Sequence, residues 1–334
     1  MMENNDKSFL HIKNLKVNFN GYDGTKTILD IDEIKINKGE AYGIIGESGT
    51  GKTVLALSIF QLLEMPPGEI VSGEILLDGD DLLKKSAKQM EREVRGKKIS
   101  MIFQDPMSTL NPVYSVGEQL VNVIVKNQGM NKNEAEKKAV EMLKLVDLPD
   151  AERAMDKYPH ELSGGQRQRV IIALALSCGA EFIIADEPTR NLDVTIQAGI
   201  LKLIKELQST LNVTVLFIAN NPGLISSTCD NTAVLYKGVI VEQGKTREVL
   251  RNPKHPYTFA LLNAIPKNKK DKINLSKIAH VHEEENPEGA CIYYNKCIKK
   301  QEVCKTIQKN IIISESHTAK CCLANEENNM KEGI

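Results

Sequence analysis

No charge of one sign dominates this chain: 43 basic residues stand against 44 acidic ones, a formal net charge of −1. That balance gives no global field to draw in a polyanion, so nucleic acid is not an expected partner. Long apolar runs are missing too; the strongest, Val170 to Leu176, falls far short of a membrane span. The first residues, Met1 to Lys7, are polar with no apolar stretch behind them, so no secretory signal is expected and the chain reads as cytosolic. Membrane association would have to come from docking to another protein. Cys-x2-Cys pairs, common in zinc ribbons, do not occur among the seven cysteines.

What is present begins with Gly46-Glu47-Ser48-Gly49-Thr50-Gly51-Lys52-Thr53, which fits a G-x-x-x-x-G-K-S/T phosphate loop at every fixed position. An apolar run, Ala41 to Ile45, precedes it as a buried strand, and Val54 to Phe60 starts a helix. The glycines let backbone N–H groups turn toward a polyphosphate, and a helix N-terminus favours negative charge. Lys52 is placed to reach the terminal phosphates and the Thr53 hydroxyl to ligate Mg²⁺.

An α/β core is legible around this loop. Residues 9–19 and 28–36 alternate apolar and polar side chains, as strands of a flanking antiparallel sheet do, with a turn at Asp23-Gly24. Tyr22 or Phe19 near that turn is placed either to stack on a nucleotide base or simply to pack in the sheet. Residues 86–96 read as helix, and the strand from Lys98 to Phe103 ends at Gln104, whose amide can hydrogen-bond a metal-bound or attacking water. Residues 115–148 carry helical periodicity and insert between core strands. Ser163 fits an N-cap ahead of a helix to Ser177, and Gly164 and Gly165 beside it make a second concave anion site. The strand from Phe182 ends in adjacent carboxylates: Asp186 to hold Mg²⁺ through its water shell, Glu187 to act as general base on an attacking water. Residues 213–218, 232–236 and 238–243 read as further strands, and 194–210 and 245–251 as helices.

The phosphate loop, Gln104, Leu162-Ser163-Gly164-Gly165-Gln166 and Asp186-Glu187 resemble the ATP-binding cassette (ABC) ATPases, over about residues 9–265. The Leu-Ser-Gly-Gly-Gln run is the most specific, since other phosphate-loop families lack it. The stretch Asn252 to Thr258, with His255-Pro256-Tyr257, is similar to the segment after the cassette in oligopeptide, dipeptide and nickel importers. Pro66 to Glu74, Phe103 to Pro112 and Ala185 to Thr189 resemble the D-type ATPase subunit of that group.

The resemblance implies a P-loop NTPase of ABC type. Its parallel core sheet, antiparallel β flank and inserted helical subdomain at about 105–165 would fill a nucleotide-binding domain at 1–254, with a small Cys-rich extension at 255–334. It implies ATP and Mg²⁺, with Thr53, Gln104 and Asp186 at the metal and Glu187 and Asn220 at the γ-phosphate. It implies a head-to-tail pair with an F-type cassette, in which residues 46–53 of one subunit and Ser163, Gly164, Gly165 and Gln166 of the other sandwich each ATP. Asp193 lies in the loop that would cross between them. Two membrane permease subunits at the cytoplasmic face and, indirectly, an extracytoplasmic solute-binding protein complete the implied importer, with peptides as cargo. A non-hydrolysing regulatory cassette and an ATPase for nickel or another small solute are the alternatives.

Two places depart from the family pattern. Where a Thr-His-Asp or Ser-His-Asp run is usual, this chain has Ala219-Asn220-Asn221. An amide donates a hydrogen bond but cannot take the charge of an imidazole, and losing such a donor costs on the order of 10²–10³ in rate. The chain's own site is therefore expected to bind ATP and hydrolyse it poorly, while its intact Leu162 to Gln166 completes a partner's site. The loop Thr189-Arg190-Asn191-Leu192-Asp193 carries larger polar residues than the usual Thr-Thr-Ala-Leu-Asp, which is expected to alter closure.

Five of the seven cysteines, Cys291, Cys297, Cys304, Cys321 and Cys322, crowd the C-terminal tail. Four thiolates suit a 4Fe-4S cluster or Zn²⁺, and the lack of Cys-x2-Cys weighs toward iron and sulfur. The spacing of Cys291, Cys297, Cys304 and Cys321 resembles the cluster-bearing tail of the peptide-importer ATPases. Free buried thiols are the alternative, because the prolines common between the first cysteines are missing and Cys322 replaces a common His. Lys267–Lys272 reads as a solvated linker between body and tail.

Overall fold

The computed structural model describes residues 8–264, 286–306 and 308–324; Met1 to Lys7 and the expected linker Lys267–Lys272 lie outside them. The chain opens on β1 (Leu10–Gly21) and β2 (Gly24–Ile36), then β3 (Ala41–Ile45), α1 (Lys52–Phe60), β4 (Gly68–Leu77) and β5 (Asp80–Asp81). β2, β1, β4 and β5 form, in that order, a four-stranded antiparallel sheet. Along β1 the buried Leu10, Ile12, Leu15 and Val17 interleave with more exposed residues, so one face is dry and the other wet.

The segment expected as helix over 86–96 is only a short α2 (Ala87–Gln89), capped reciprocally by Ser86 and Gln89, which widens into a π turn over Met90–Val94. Beyond β6 (Ile99–Ile102) and α3 (Pro106–Thr109), the inserted helices α4 (Val116–Gln128), α5 (Lys132–Leu145) and α6 (Ala151–Ala154) lead to α7 (Gly164–Ser177). Ser115 with Glu118 and Asn131 with Glu134 make reciprocal caps at the starts of α4 and α5, so chemistry local in sequence fixes both. β7 (Phe182–Asp186), α8 (Val194–Leu211), β8 (Thr214–Ala219), α9 (Pro222–Thr228) and β9 (Asn231–Tyr236) follow. Then come β10 (Val239–Lys245), α10 (Thr246–Arg251), α11 (Pro256–Asn263) and, in the tail, β11 (Ile311–Ser314) and β12 (His317–Ala319).

An eight-stranded sheet runs β11-β12-β10-β9-β3-β8-β7-β6. The five strands from β9 to β6 pair parallel, and the other pairings are antiparallel. β3, β7 and β8 are buried along their whole length, as strands covered on both faces must be. Period two then sorts their side chains. Ile44, Ile184 and Leu216 pack with Leu10 and Leu55 on the side of the antiparallel sheet and α1, whereas Ile45, Ile183 and Val215 pack with Leu120, Ile171 and Ile204 of the helices.

Cysteine spacing gives no hint that the tail joins the core sheet. β12 pairs with β10 at Ala319–Glu242, Thr318–Gln243 and His317–Gly244. Buried Glu242 accepts hydrogen bonds from the Lys254 and His255 amides at 2.8 and 2.9 Å and faces His317 Nε2 at 2.7 Å. A buried carboxylate needs such partners, and these join β10, the start of α11 and the tail.

Candidate nucleotide site

β3 delivers the chain to the C-terminal edge of the parallel strands, where open α/β sheets place their ligands. Gly46 runs so close to β9 that a Cβ there would sit 2.3 Å from the Leu235 carbonyl oxygen, and Gly51, at φ 104°, starts α1 from a left-handed conformation. Lys52 is buried, and its Nζ donates to the Gly46 and Glu47 carbonyls at 2.9 and 2.7 Å. Burial pulls its pKa below the usual lysine value, against the charges of Glu187, Asp186 and Glu47. A buried ammonium resting on neutral carbonyls is suited to a ligand of higher negative charge.

Thr53 Oγ1 donates to Asp186 Oδ2 at 3.0 Å, so α1 and β7 meet at the pair expected to hold Mg²⁺. Desolvation raises the Asp186 pKa; the Thr53 bond opposes the rise and the charge of Glu187 adds to it. Such a carboxylate gains from a cation, and this oxygen pair fits Mg²⁺ in donor chemistry.

Glu187 leaves the strand at φ 45°, while its N–H still donates to the Ile218 carbonyl at 2.9 Å. A non-glycine residue in that region is strained. Its carboxylate accepts from Gln104 Nε2 at 2.9 Å, from Asn220 Nδ2, and from Arg190 Nη1 at 3.3 Å. Three donors on one carboxylate fix where a general base would be. Asn220 Nδ2 also lies 3.5 Å from Ser48 Oγ, and the buried Asn220 Oδ1 has no partner among the described residues. Beside Glu187 a cavity of about 220 Å³, lined in part by Arg190, Leu201, Asn220 and Leu224, leaves these side chains room to change partners.

The second helix end is built locally. Gln166 N donates to Ser163 Oγ at 3.3 Å, and Ser163 N donates to Gln166 Oε1 at 3.0 Å. Ser163 is exposed. A Cβ on Gly164 or Gly165 would meet Leu192 at 3.4 Å or Ile196 at 3.0 Å, so the chain after Glu187 packs beneath this turn. Asp193 caps α8 by accepting from Ile196 N at 3.0 Å. Tyr22 is fully exposed at the hairpin tip and makes no ring contact among the described residues, whereas Phe19 packs partly against the sheet core.

Two site residues carry weak signals in the sequence or none. Arg190 is visible only as a departure from the family pattern, not as a donor to Glu187. Tyr257 Oη accepts from Glu47 N at 3.1 Å across 210 positions, a contact with no local mark.

In the tail, Cys291, Cys297, Cys304, Cys321 and Cys322 line one small cavity together with His255, Tyr293 and Gln308. The Sγ atoms of Cys304 and Cys322 lie 3.2 Å apart, and burial pushes the Cys321 thiol up to about 11 and the Cys322 thiol up to about 12. Among the described residues, no three His, Cys, Asp or Glu groups are gathered to hold one metal ion. Neither a Zn²⁺ ion nor a 4Fe-4S cluster on Cys291, Cys297, Cys304 and Cys321 finds its ligands gathered among the described residues.

Known proteins place the chain. The ABC transporter family matches residues 29–190, and the oligopeptide/dipeptide transporter C-terminal region matches residues 241–304. The probable peptide ABC transporter ATP-binding protein y4tR of Sinorhizobium fredii is 41% identical across 98% of this chain and 99% of its own length. The chain belongs to the ABC transporter ATPases. The oligopeptide transport ATP-binding protein OppD of Bacillus subtilis is 46% identical to this cassette over 77% of the chain and 72% of its own. The dipeptide transport ATP-binding protein DppD of the same organism is 40% identical over 95% of each. Among solved structures, the ATP-binding cassette MJ0796, a dimer in a post-hydrolysis state bound to ADP and Pi, is similar at a TM-score of 0.63 and 27% identity. It covers 71% of this chain and 99% of its own. CbiO1 of Clostridium perfringens, part of the ABC transporter complex cbiONQ, gives 0.64 and 30%, covering 74% and 92%. Membership makes ATP with Mg²⁺ the ligand of this cassette.

Proposed function

We propose that this chain hydrolyses ATP to power a membrane importer of oligopeptides or dipeptides. The observation that carries the reading is Glu187, held by three donors one residue beyond the Asp186–Thr53 pair. Cargo class follows from relatives named for oligopeptide and dipeptide transport and from the matched C-terminal region. Bound ATP supplies the phosphoryl group, and Mg²⁺ offsets the charge that builds on it. Lys52 would exchange its carbonyl contacts for phosphate oxygens, and Thr53 and Asp186 would hold Mg²⁺. Gln104 positions a water whose proton Glu187 accepts.

Asn220 makes the site slow, because its amide cannot take on imidazolium charge. The residues Ser163 to Gln166 then complete a faster site on a second, F-type cassette. The pair sits at the cytoplasmic face on two permease subunits, which an extracytoplasmic solute-binding protein supplies. Reconstituting the pair with Glu187→Gln tests the asymmetry: near-unchanged turnover supports it, and near-complete loss puts hydrolysis at this chain's own site. Stimulation by peptide but not by nickel checks the cargo.

The same amide favours a second reading, a regulatory cassette that binds nucleotide without hydrolysing it in any pairing; a turnover assay on the assembled pair separates the two. The spacing of Cys291, Cys297, Cys304 and Cys321, which has no Cys-x2-Cys pair, favours a 4Fe-4S cluster over Zn²⁺. Anaerobic purification with iron analysis and an absorption spectrum tests that.

A further inference from the structure

At Glu47 the phosphate loop has an anchor that it does not supply itself. The Glu47 peptide is held on its carbonyl side by Lys52 Nζ at 2.7 Å and Thr50 Oγ1 at 2.9 Å, both from within the loop. Its N–H donates to Tyr257 Oη at 3.1 Å, from α11. A phosphate competes for Lys52, so the carbonyl side is loosened when nucleotide enters. The Tyr257 bond involves no atom of Lys52.

Tyr257 is itself held in place. Its amide donates to His255 Nδ1 at 3.0 Å, which sets the first turn of α11. Its ring, 2% exposed, lies 4.4 Å from the Tyr236 ring and 5.6 Å from that of Tyr293. Tyr293 meets Tyr236 edge-on at 5.2 Å, and it follows Cys291 by two residues in the wall of the cysteine-lined cavity. Desolvation, the largest effect on the Tyr257 phenol, raises its pKa and keeps the hydroxyl neutral. The contacts run without a gap from the tail cysteines through Tyr293 and Tyr257 to the second residue of the phosphate loop.

We propose that Tyr257 is a positioning residue for the phosphate loop, and that the cysteine-bearing tail sets nucleotide affinity through Tyr293 packed against it. The proposal rests on the nucleotide reading above. The full chain is titrated with N-methylanthraniloyl-ATP and Mg²⁺, and turnover is measured in the assembled transporter. Tyr257→Phe keeps the ring and removes only the acceptor. It raises the Kd and KM roughly threefold to tenfold, as the loss of one hydrogen bond does, while kcat at saturation stays within about twofold. Tyr293→Leu shifts the Kd the same way by roughly twofold to fivefold, the scale of an aromatic pair, and Tyr293→Phe restores it. The double variant Tyr257→Phe, Tyr293→Leu falls short of the product of the two effects, because both act on one contact.

Tyr42→Phe removes another buried phenol hydroxyl, one that faces Gln243 at 3.4 Å rather than the loop, and leaves the affinity unchanged. An unaltered Kd in Tyr257→Phe overturns the role of Tyr257. An unaltered Kd in Tyr293→Leu, or fully multiplicative effects in the double variant, overturns the link to the tail. Failure of the unsubstituted chain to bind nucleotide at all would instead count against the nucleotide reading.

Discussion

The two helix ends that the sequence marks as candidate phosphate sites are made in opposite ways. At the phosphate loop the fixing contacts reach across the chain: Thr53 to Asp186 spans 133 positions, Gln104 to Glu187 spans 83 and Glu47 to Tyr257 spans 210. At Ser163 the fixing bonds close within 3 positions. The first end is a product of the whole fold, the second of four consecutive residues. Damage to the first is therefore felt by the lone chain, whereas damage to the exposed second is felt where another surface meets it.

The sharpest way to break that contrast is Lys52→Ala against Ser163→Ala. Removing the buried ammonium forfeits charge-assisted bonds, and nucleotide affinity of the lone chain falls by roughly a hundredfold. Ser163→Ala leaves that affinity within about twofold in the same titration. Equal losses would erase the distinction.

Next in size, Ser163→Ala removes a helix cap and lowers stability by about 1 kcal/mol, read from urea unfolding. Under the proposed pairing, its effect on turnover shows only once a second cassette is present. A gentler test uses pH. Because desolvation raises the Asp186 pKa above 3.8, the folded chain binds that proton more tightly than the unfolded chain does. Nucleotide-free protein therefore loses stability as pH rises from 3.8 through the raised value. Asp186→Asn flattens that slope in urea midpoints, and Mg²⁺ with nucleotide offsets the loss in the unsubstituted chain alone.

The smallest effect is expected from Arg190→Ala. Its guanidinium is half exposed on Glu187, and such pairs contribute up to about 1 kcal/mol. Turnover should change less than about fivefold in a steady-state assay. A larger change would mean that the loop between the two ends couples them.

Much of this architecture is written over short stretches of sequence. The phosphate loop, the cap at Ser163 and the apolar runs of β3, β7 and β8 each announce themselves within a few residues. The π turn after Gln89 does not, since residues 86–96 keep a helical look whichever ladder they adopt. Asn220 can be read as a missing imidazole, but its bond to Glu187 cannot, because β7 and β8 must first pair. Tyr257, Glu242 and His317 are illegible for the same reason: each finds its partner only after the strands assemble. Cysteine spacing suggested ligands, yet the gathering of sulfurs into one cavity depends on how the tail lies on β10.

That seating has a consequence for solubility. Without β12, and with it β11, β10 would become the raw rim of a six-stranded sheet, with amides and carbonyls open to any passing strand. Glu242 would also lose His317, leaving a carboxylate that is 1% exposed short of one partner. A chain cut ahead of Asn286 would then be prone to clump through its sheet margin even with an intact nucleotide pocket.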